Sequence, residues 1–144
     1  QFFGLGCRNV TQVYVPEGYN FEPLLKAFGK YNYLADHPKF KNNYDYNLAI
    51  HLLNKRYFMS NESLLLVEDN SPFSPIGQLH YQFYKDLSAV KSSLAGNDNI
   101  QCVVSREAID FGKAQCPGIC DFADGVDTMQ FLVNLNDKQE VRRS

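Results

Sequence analysis

Four short segments rich in β-branched and aromatic residues alternate with helical patterns, and this alternation constrains the fold more than any other feature. The strand-like segments are 11–15 (TQVYV), 63–69 (SLLLVED), 78–84 (QLHYQFY) and 100–105 (IQCVVS). Strands that alternate with helices are typical of α/β domains. The chain is therefore predicted to form an α/β domain with a largely parallel sheet.

Three segments outside the predicted strands carry apolar residues at helical spacing. The first helix is predicted to begin after Asn20, a good capping residue, and to end at Gly29. A second helix is predicted over residues 46–57, and a third begins at Asp86. The residues expected to face the core are Phe21, Leu24, Leu25 and Phe28 in the first helix, Tyr46, Ala49, Ile50, Leu53 and Tyr57 in the second, and Leu87, Val90 and Leu94 in the third.

Length, charge and hydropathy exclude several classes of protein. A chain of 144 residues is long enough for one compact domain with a hydrophobic core. The formal net charge is -2 and the basic residues are scattered among acidic ones, which argues against a nucleic-acid partner. No apolar run approaches the ~20 residues that span a bilayer, and the first residues lack the pattern of a signal peptide. We therefore expect a cytoplasmic protein with no membrane span.

The cysteines and histidines do not form a metal-binding pattern. Cys116 and Cys120 have C-x3-C spacing, whereas the three histidines are dispersed along the chain. A zinc site would need more cysteine or histidine ligands at close spacing. We expect no metal, and we expect the two cysteines to be reduced thiols that pack a loop.

Cys7 is the candidate nucleophile, because it stands in the glycine-rich sequence GLGCRNV just before the first predicted strand. Gly4 and Gly6 allow backbone conformations that expose a thiol to substrate, and Arg8 would favour the thiolate. The backbone N–H of such a cysteine can face a developing oxyanion. The alternative is that Cys7 is a small buried residue, which is the common role of a free cysteine.

Three segments resemble one enzyme family. The segment GLGCRNVTQVYVPEGYNFEPLLKAF resembles the active-site region of the aldehyde dehydrogenase superfamily, with Cys7 at the position of the nucleophile. Together with NNYDYNLAI and FGKAQCPGICDFADGVDTMQFL, it resembles the acyl-CoA reductases of the LuxC type. The resemblance covers residues 1–135 and implies a three-layer αβα aldehyde dehydrogenase-like catalytic domain, followed by a polar tail at 136–144.

The resemblance also implies roles for two loops. The sequence SPFSPIG (71–77) resembles the E-x-F-G-P loop of aldehyde dehydrogenases, in which Phe73 would contact the cofactor. Ser71 replaces the acid that in many relatives holds the nicotinamide ribose, which implies a different hold on the cofactor. Phe111 and Gly112 match a late loop that forms a wall of the substrate pocket. Alternatively, both loops are turns and nothing more.

The function implied by the resemblance is the reduction of a fatty acyl thioester to an aldehyde through an acyl-enzyme on Cys7. The acyl donor would be acyl-CoA or an acyl-protein thioester, and the reductant NADPH or NADH. No G-x-G-x-x-G turn occurs in the sequence. The cofactor is therefore expected to be bound mainly by an N-terminal domain absent from this chain, and the chain alone is expected to be inactive.

Two other functions are consistent with the sequence. In the first, the chain is a non-catalytic partner or oligomerisation domain, Cys7 is a packing residue, and the late segment DGVDTMQFLV adds an edge strand to another subunit. In the second, the chain is a thiol hydrolase in which His51 or His80 activates Cys7. Both histidines are more simply explained as structural residues.

Overall fold

The computed structural model describes residues 3, 5–6, 9–97, 99–122 and 125–140, with the backbone alone at 136–140. Cys7, the predicted nucleophile, lies outside the described residues. The chain forms two compact units, residues 1–100 and residues 101–144. Each unit is described by itself below.

The first unit is built on a four-stranded sheet. Its strands are β1 (Gln12–Pro16), β2 (Met59–Ser60), β3 (Leu65–Glu68) and β4 (Gln78–Tyr84), in the spatial order β1-β4-β3-β2. The central strand β4 is parallel to both β1 and β3, while β2 is antiparallel to β3. The predicted α/β class with a largely parallel sheet is therefore confirmed.

Side-chain hydrogen bonds mark the start of two helices of the first unit. Helix α1 (Glu22–Phe28) begins beside Asn20, whose side-chain oxygen accepts a hydrogen bond of 2.9 Å from the Glu22 N–H. Helix α1 ends at Gly29 as predicted, although the φ of Gly29 is -53° and a 3-10 helix continues over Gly29–Asp36. Helix α2 spans Pro38–Leu53. Helix α3 (Leu87–Leu94) is capped by Asp86, which accepts from the Ser88 N–H, as its sequence predicts.

The core lies on both faces of the sheet, because alternate residues of β3 point to opposite sides. Leu66 joins a cluster that includes Phe21 and Tyr81, against which α1 packs with the residues that its spacing predicts. Leu65 and Val67 join a second cluster with Tyr44 of α2. The three β3 side chains are fully buried, and burial of each contributes roughly 1.5–3 kcal/mol. Helices therefore cover both faces, α1 on one and α2 on the other.

The predicted inward face of α2 is wrong. The residues that α2 buries are Phe40, Tyr44 and His51, with Leu48 packed against the core. Of the predicted set, Tyr46 and Leu53 point outward, with 67% and 82% of their surface exposed, Ile50 is half-buried, and Tyr57 lies beyond the helix and is 72% exposed. The reason is that α2 carries apolar side chains around most of its circumference, so spacing alone does not identify the face that the sheet covers.

The second unit contains one regular element, α4 (Thr128–Glu140), in its described part. The predicted strand at 100–105 is wrong, since only an isolated bridge joins Val104 to Ile109. The late segment DGVDTMQFLV, for which the sequence suggests a short helix or an edge strand, contributes its residues from Thr128 onward to α4. The predicted boundary between catalytic domain and tail, at residue 135, falls within the same helix. Cys116 and Cys120 are exposed thiols and do not pack the loop.

Candidate functional site

A row of polar side chains lies on the sheet face that α2 covers. On β4, Leu79 and Tyr81 point into the core on the α1 side, so the alternate residues Gln78 and His80 point toward α2. Both are buried, with 9% and 4% of their surface exposed. Buried polar side chains must find partners within the protein. This row is therefore the place to look for an organised polar site.

The partners form a continuous chain of hydrogen bonds from α2 to the loop after β3. His51 Nε2 lies 2.8 Å from Gln78 Oε1, and Gln78 Nε2 lies 2.8 Å from His80 Nε2. At the far end, His80 Nδ1 lies 2.8 Å from the carbonyl oxygen of Ser71. Both ring nitrogens of His80 are thereby occupied. His80 is therefore held in place as a structural histidine.

Asp69 fixes the first residues of the loop after β3, where the series of hydrogen bonds ends at the Ser71 carbonyl. Its Oδ1 accepts a hydrogen bond of 2.8 Å from the Ser71 N–H, and its Oδ2 lies 2.7 Å from Nη2 of Arg56. Its carbonyl oxygen accepts from the side-chain amides of Gln12 on β1 and Gln82 on β4. The hydrogen bond from Ser71 and the one from Arg56 hold the pKa of the Asp69 carboxyl below its usual value.

Thr11 ties the start of β1 to the same loop. Its hydroxyl donates a hydrogen bond of 2.6 Å to the carbonyl oxygen of Pro72, and its own carbonyl accepts one of 3.1 Å from the His80 N–H. Thr11 stands four positions after Cys7 in the sequence. The segment that follows the predicted nucleophile and the predicted cofactor loop therefore meet at one place in the fold.

Ser71 and Phe73, the two predicted cofactor contacts, lie in this loop. The Ser71 hydroxyl donates to the Phe73 carbonyl at 3.1 Å and accepts from the Phe73 N–H at 3.3 Å, so it shapes the turn. The Phe73 ring is 57% exposed and is available to contact a planar ligand. The loop therefore presents the Phe73 ring at the surface, whereas the hydroxyl of Ser71 is used within the loop.

Phe111 and Gly112, the predicted residues of the substrate pocket, lie in the second unit. Gly112 has a φ of +80°, a conformation that favours glycine, and the Lys113 N–H donates to the Asp110 carbonyl across the turn. Phe111 is 73% exposed at the tip of this turn. The turn is therefore formed as its sequence predicts, with an aromatic side chain presented to solvent.

Sequence reasoning missed Thr11, Asp69 and Gln78 as residues of this site. The alternation in QLHYQFY already separates a polar set from an apolar set, which was a signal for Gln78. Asp69 follows directly after β3, and the carboxyl ends of parallel strands are where ligands bind in open α/β sheets. No local pattern marks Thr11, because its contact with Pro72 depends on the pairing of β1 with β4.

Two further observations concern metals and membranes. In the part of the chain that the structure describes, no group of three or more histidine, cysteine, aspartate or glutamate side chains could hold a metal ion. Over the same residues, none of the helices combines the length and the apolar character that crossing a membrane requires.

Comparisons of this chain with family models, with curated proteins and with solved structures return no match.

Proposed function

We propose that this chain is the catalytic portion of an NAD(P)H-dependent acyl-CoA reductase with an aldehyde dehydrogenase-like fold. The observation that supports this most is the contact of Thr11 with Pro72, since it brings the segment after Cys7 to the loop that carries Ser71 and Phe73. An enzyme of this class needs its nucleophile and its nicotinamide contact side by side. The resemblance of the three sequence segments supports the same function.

In the proposed reaction, the Cys7 thiolate attacks the carbonyl carbon of the acyl thioester. The bond from that carbon to the CoA sulfur breaks, CoA leaves as a thiolate, and an acyl-enzyme remains on Cys7. A reduced nicotinamide cofactor would supply a hydride to the acyl carbon. The bond from that carbon to the Cys7 sulfur would then break, which releases the aldehyde and regenerates the Cys7 thiolate. The Cys7 backbone N–H stabilises the oxyanion, and loss of one such donor commonly raises the barrier by ~2.7–4 kcal/mol.

In this proposal the other residues bind and orient the cofactor and the substrate. Phe73 contacts the nicotinamide, and Ser71 keeps the loop in shape. The sequence resemblance alone implies that Phe111 and Gly112 line the acyl pocket. The acyl donor is acyl-CoA or an acyl-protein thioester in the cytoplasm, and a nucleotide-binding domain of the same enzyme is the partner that supplies most of the cofactor site.

Selective alkylation tests the role of Cys7. With limiting iodoacetamide, Cys7 should react faster than the half-buried Cys102, because a catalytic thiol is accessible and reacts as the thiolate. Trypsin places the two cysteines in different peptides, because the peptide with Cys7 ends at Arg8 and the peptide with Cys102 ends at Arg106. Cys116 and Cys120 share a third peptide and serve as exposed reference thiols. A Cys7 that labels only after unfolding would contradict the proposal.

The isolated chain should produce no aldehyde from acyl-CoA and NADPH, because the nucleotide-binding domain is required for reduction. The assay would follow NADPH absorbance and extract the aldehyde for mass spectrometry. Clear turnover by the chain alone would show that the enzyme needs no further domain, and would contradict this part of the proposal.

A second candidate function is a non-catalytic oligomerisation domain, in which Cys7 serves only for packing. The outward face of α2 favours it, because Tyr46 and Leu53 are large, apolar and mostly exposed. If this face joins two copies, sedimentation velocity should show a dimer that Leu53→Ser converts to monomer. The control is Leu5→Ser, an exposed leucine elsewhere, 61% exposed. A chain that is monomeric at all concentrations would exclude this function.

A further inference from the structure

We propose that His51, Gln78 and His80 form a positioning chain with fixed tautomers, which holds the Ser71 carbonyl and so sets the shape of the loop that receives a reduced nicotinamide nucleotide. The identity of the ligand rests on the proposed function. The positioning itself rests on the buried hydrogen bonds alone.

The direction of every hydrogen bond in the chain follows from the Ser71 carbonyl. A carbonyl oxygen can only accept, so His80 Nδ1 carries a hydrogen and donates to it. In neutral His80, Nε2 is then an acceptor, and Gln78 turns its amide NH₂ toward it. The amide oxygen of Gln78 consequently faces His51 Nε2, which donates. His80 is thus the Nδ1–H tautomer and His51 the Nε2–H tautomer.

The ring nitrogen of His51 that faces away from Gln78 agrees with this assignment of tautomers. His51 Nδ1 is buried and has no hydrogen-bond partner among the described residues. In the assigned tautomer this atom carries a lone pair and no hydrogen. Reversal of the Gln78 amide would make His80 a cation and would leave a buried N–H unpaired at His51 Nδ1. An unpaired buried donor is the rarer and costlier state, so the chain has one preferred direction.

The loop is held from three sides at adjacent peptide groups. His80 on β4 donates to the Ser71 carbonyl, Thr11 donates to the Pro72 carbonyl, and Asp69 accepts from the Ser71 N–H. Asp69 is also the charged group that faces His80, with Arg56 paired to its other oxygen. Phe73 follows directly, so the orientation of its exposed ring depends on these bonds.

Residues 69–77 have little freedom to compensate for a lost bond. They connect β3 to the neighbouring parallel strand β4, and such a connection commonly takes about a dozen residues or more. His80 is therefore a positioning residue, which acts through the Ser71 carbonyl and not on a ligand directly. His51 and Gln78 act one step further back by fixing the tautomer of His80.

Nitrogen-15 NMR of the chain reads the tautomers directly, and the three histidines provide an internal control. Long-range proton–nitrogen spectra should show His80 with its hydrogen on Nδ1 and His51 with its hydrogen on Nε2. The exposed His37 should show the averaged pattern of a solvated ring. A His80 with its hydrogen on Nε2, or two rings that average like His37, would overturn the proposal.

Two substitutions of His80 separate positioning from general packing. His80→Asn keeps an N–H donor near the position of Nδ1, whereas His80→Leu removes it. The amide resonances of Ser71 and Phe73 should remain near their original positions in His80→Asn and should shift in His80→Leu. His37→Asn is the control and should shift neither. If His80→Leu does not fold, Gln78→Leu should instead release the tautomer of His80 in the NMR spectra. Unchanged Ser71 and Phe73 amides in folded His80→Leu, or an unchanged His80 tautomer in Gln78→Leu, would overturn the proposal.

Titration with reduced nicotinamide mononucleotide distinguishes the positioning chain from the proposed function. The amide resonance of Phe73 should shift on addition of the nucleotide in the original chain and in His80→Asn. Binding should be about tenfold weaker in His80→Leu, which is the effect of one lost hydrogen bond. If the tautomers and loop shifts are as expected but no variant binds the nucleotide, the positioning chain stands and the proposed function is overturned. Equal binding by His80→Asn and His80→Leu would overturn the functional role of the positioning chain.

Discussion

Asp69 joins three elements of the first unit through one side chain and one carbonyl group. Its carboxylate accepts hydrogen bonds from Arg56, in the connection after α2, and from the N–H of Ser71 in the loop. Its carbonyl oxygen accepts one from the side-chain amide of Gln12 on β1. Arg56 also donates to the carbonyl of Glu68 at the end of β3. A partly buried carboxylate with several donors contributes more than an exposed ion pair. We therefore expect Asp69 to stabilise both the end of β3 and the loop.

Asp69→Asn should lower the free energy of unfolding by about 1 kcal/mol at neutral pH, because the charged hydrogen bond with Arg56 is weakened while the Ser71 N–H keeps an acceptor. Urea unfolding followed by circular dichroism measures the change. Asp45→Asn is the matched control, because Asp45 forms an exposed pair with Lys41 on α2 and its loss should matter less. Equal effects of the two substitutions would contradict the role of Asp69.

The difference in stability between the original chain and Asp69→Asn should depend on pH. Hydrogen bonds from Ser71 and Arg56 lower the pKa of Asp69 in the folded state, so the unfolded chain takes up the proton first as the pH falls. The stability that Asp69 contributes is therefore fully present above the unfolded carboxyl pKa of about 3.9 and is lost as the pH falls through the lower folded value. The difference between the original chain and Asp69→Asn should shrink over that acidic range. A constant difference would contradict it.

Gly77 closes the loop at a position where a side chain would be crowded against α2. Its φ is +74°, and an added Cβ would lie 3.3 Å from the Cβ of Tyr44 on α2. Gly77→Ala should cost about 2 kcal/mol or more, since strain and crowding add. Gly18→Ala is the matched control, because Gly18 has a φ of +76° in open space and should cost only about 1 kcal/mol for the backbone. Thermal unfolding would measure both, and equal costs would show that crowding against α2 is absent.

At the scale of elements, α2 has two apolar faces and buries only one of them. The buried face carries Tyr44, whose hydroxyl lies 2.6 Å from the Ser60 hydroxyl on β2, and His51, which begins the positioning chain. The outward face carries Tyr46 and Leu53. The sheet covers the first face, which supplies His51 as the polar partner that the buried Gln78 requires.

Two tyrosines of α2, two positions apart, test this orientation by the same chemical change. Tyr44→Ala should cost about 3 kcal/mol or more, because it removes a buried ring and a hydrogen bond from the core beside β3. Tyr46→Ala should change the free energy of unfolding by less than about 0.5 kcal/mol, since Tyr46 is 67% exposed. Denaturant unfolding of the two variants would show the difference. The opposite order would mean that α2 packs with its other face.

The sequence predicts elements well where local signals agree with burial. QLHYQFY forms β4 over the whole predicted range, and Asn20 and Asp86 cap helices as expected. The segment at 100–105 fails for a nonlocal reason. A run of β-branched residues becomes a strand only when a neighbour completes its hydrogen bonds, and here only Val104 forms a bridge. The face of α2 was likewise decided by the sheet and not by the helix itself.

At the scale of the whole molecule, the site draws on parts of the first unit that are distant in sequence. Thr11 precedes β1, Asp69 follows β3 and His80 lies within β4, and the parallel pairing of these strands brings them together. A linear pattern identifies SPFSPIG as a shaped loop, but it does not identify what holds that loop. For this reason the turn at Ser71 could be predicted, whereas the hydrogen bonds that Thr11, His51, Gln78 and His80 form could not.

The central claim is that Cys7 accepts an acyl group from a thioester, and this half of the reaction needs no reductant. The chain should be incubated with a saturated fatty acyl-CoA without NADPH, and its intact mass should be measured together with the release of CoA thiol. We predict one acyl adduct that maps to the peptide ending at Arg8, is removed by hydroxylamine, is absent in Cys7→Ser and persists in Cys102→Ser. No adduct, or an adduct that Cys7→Ser leaves unchanged, would contradict the account.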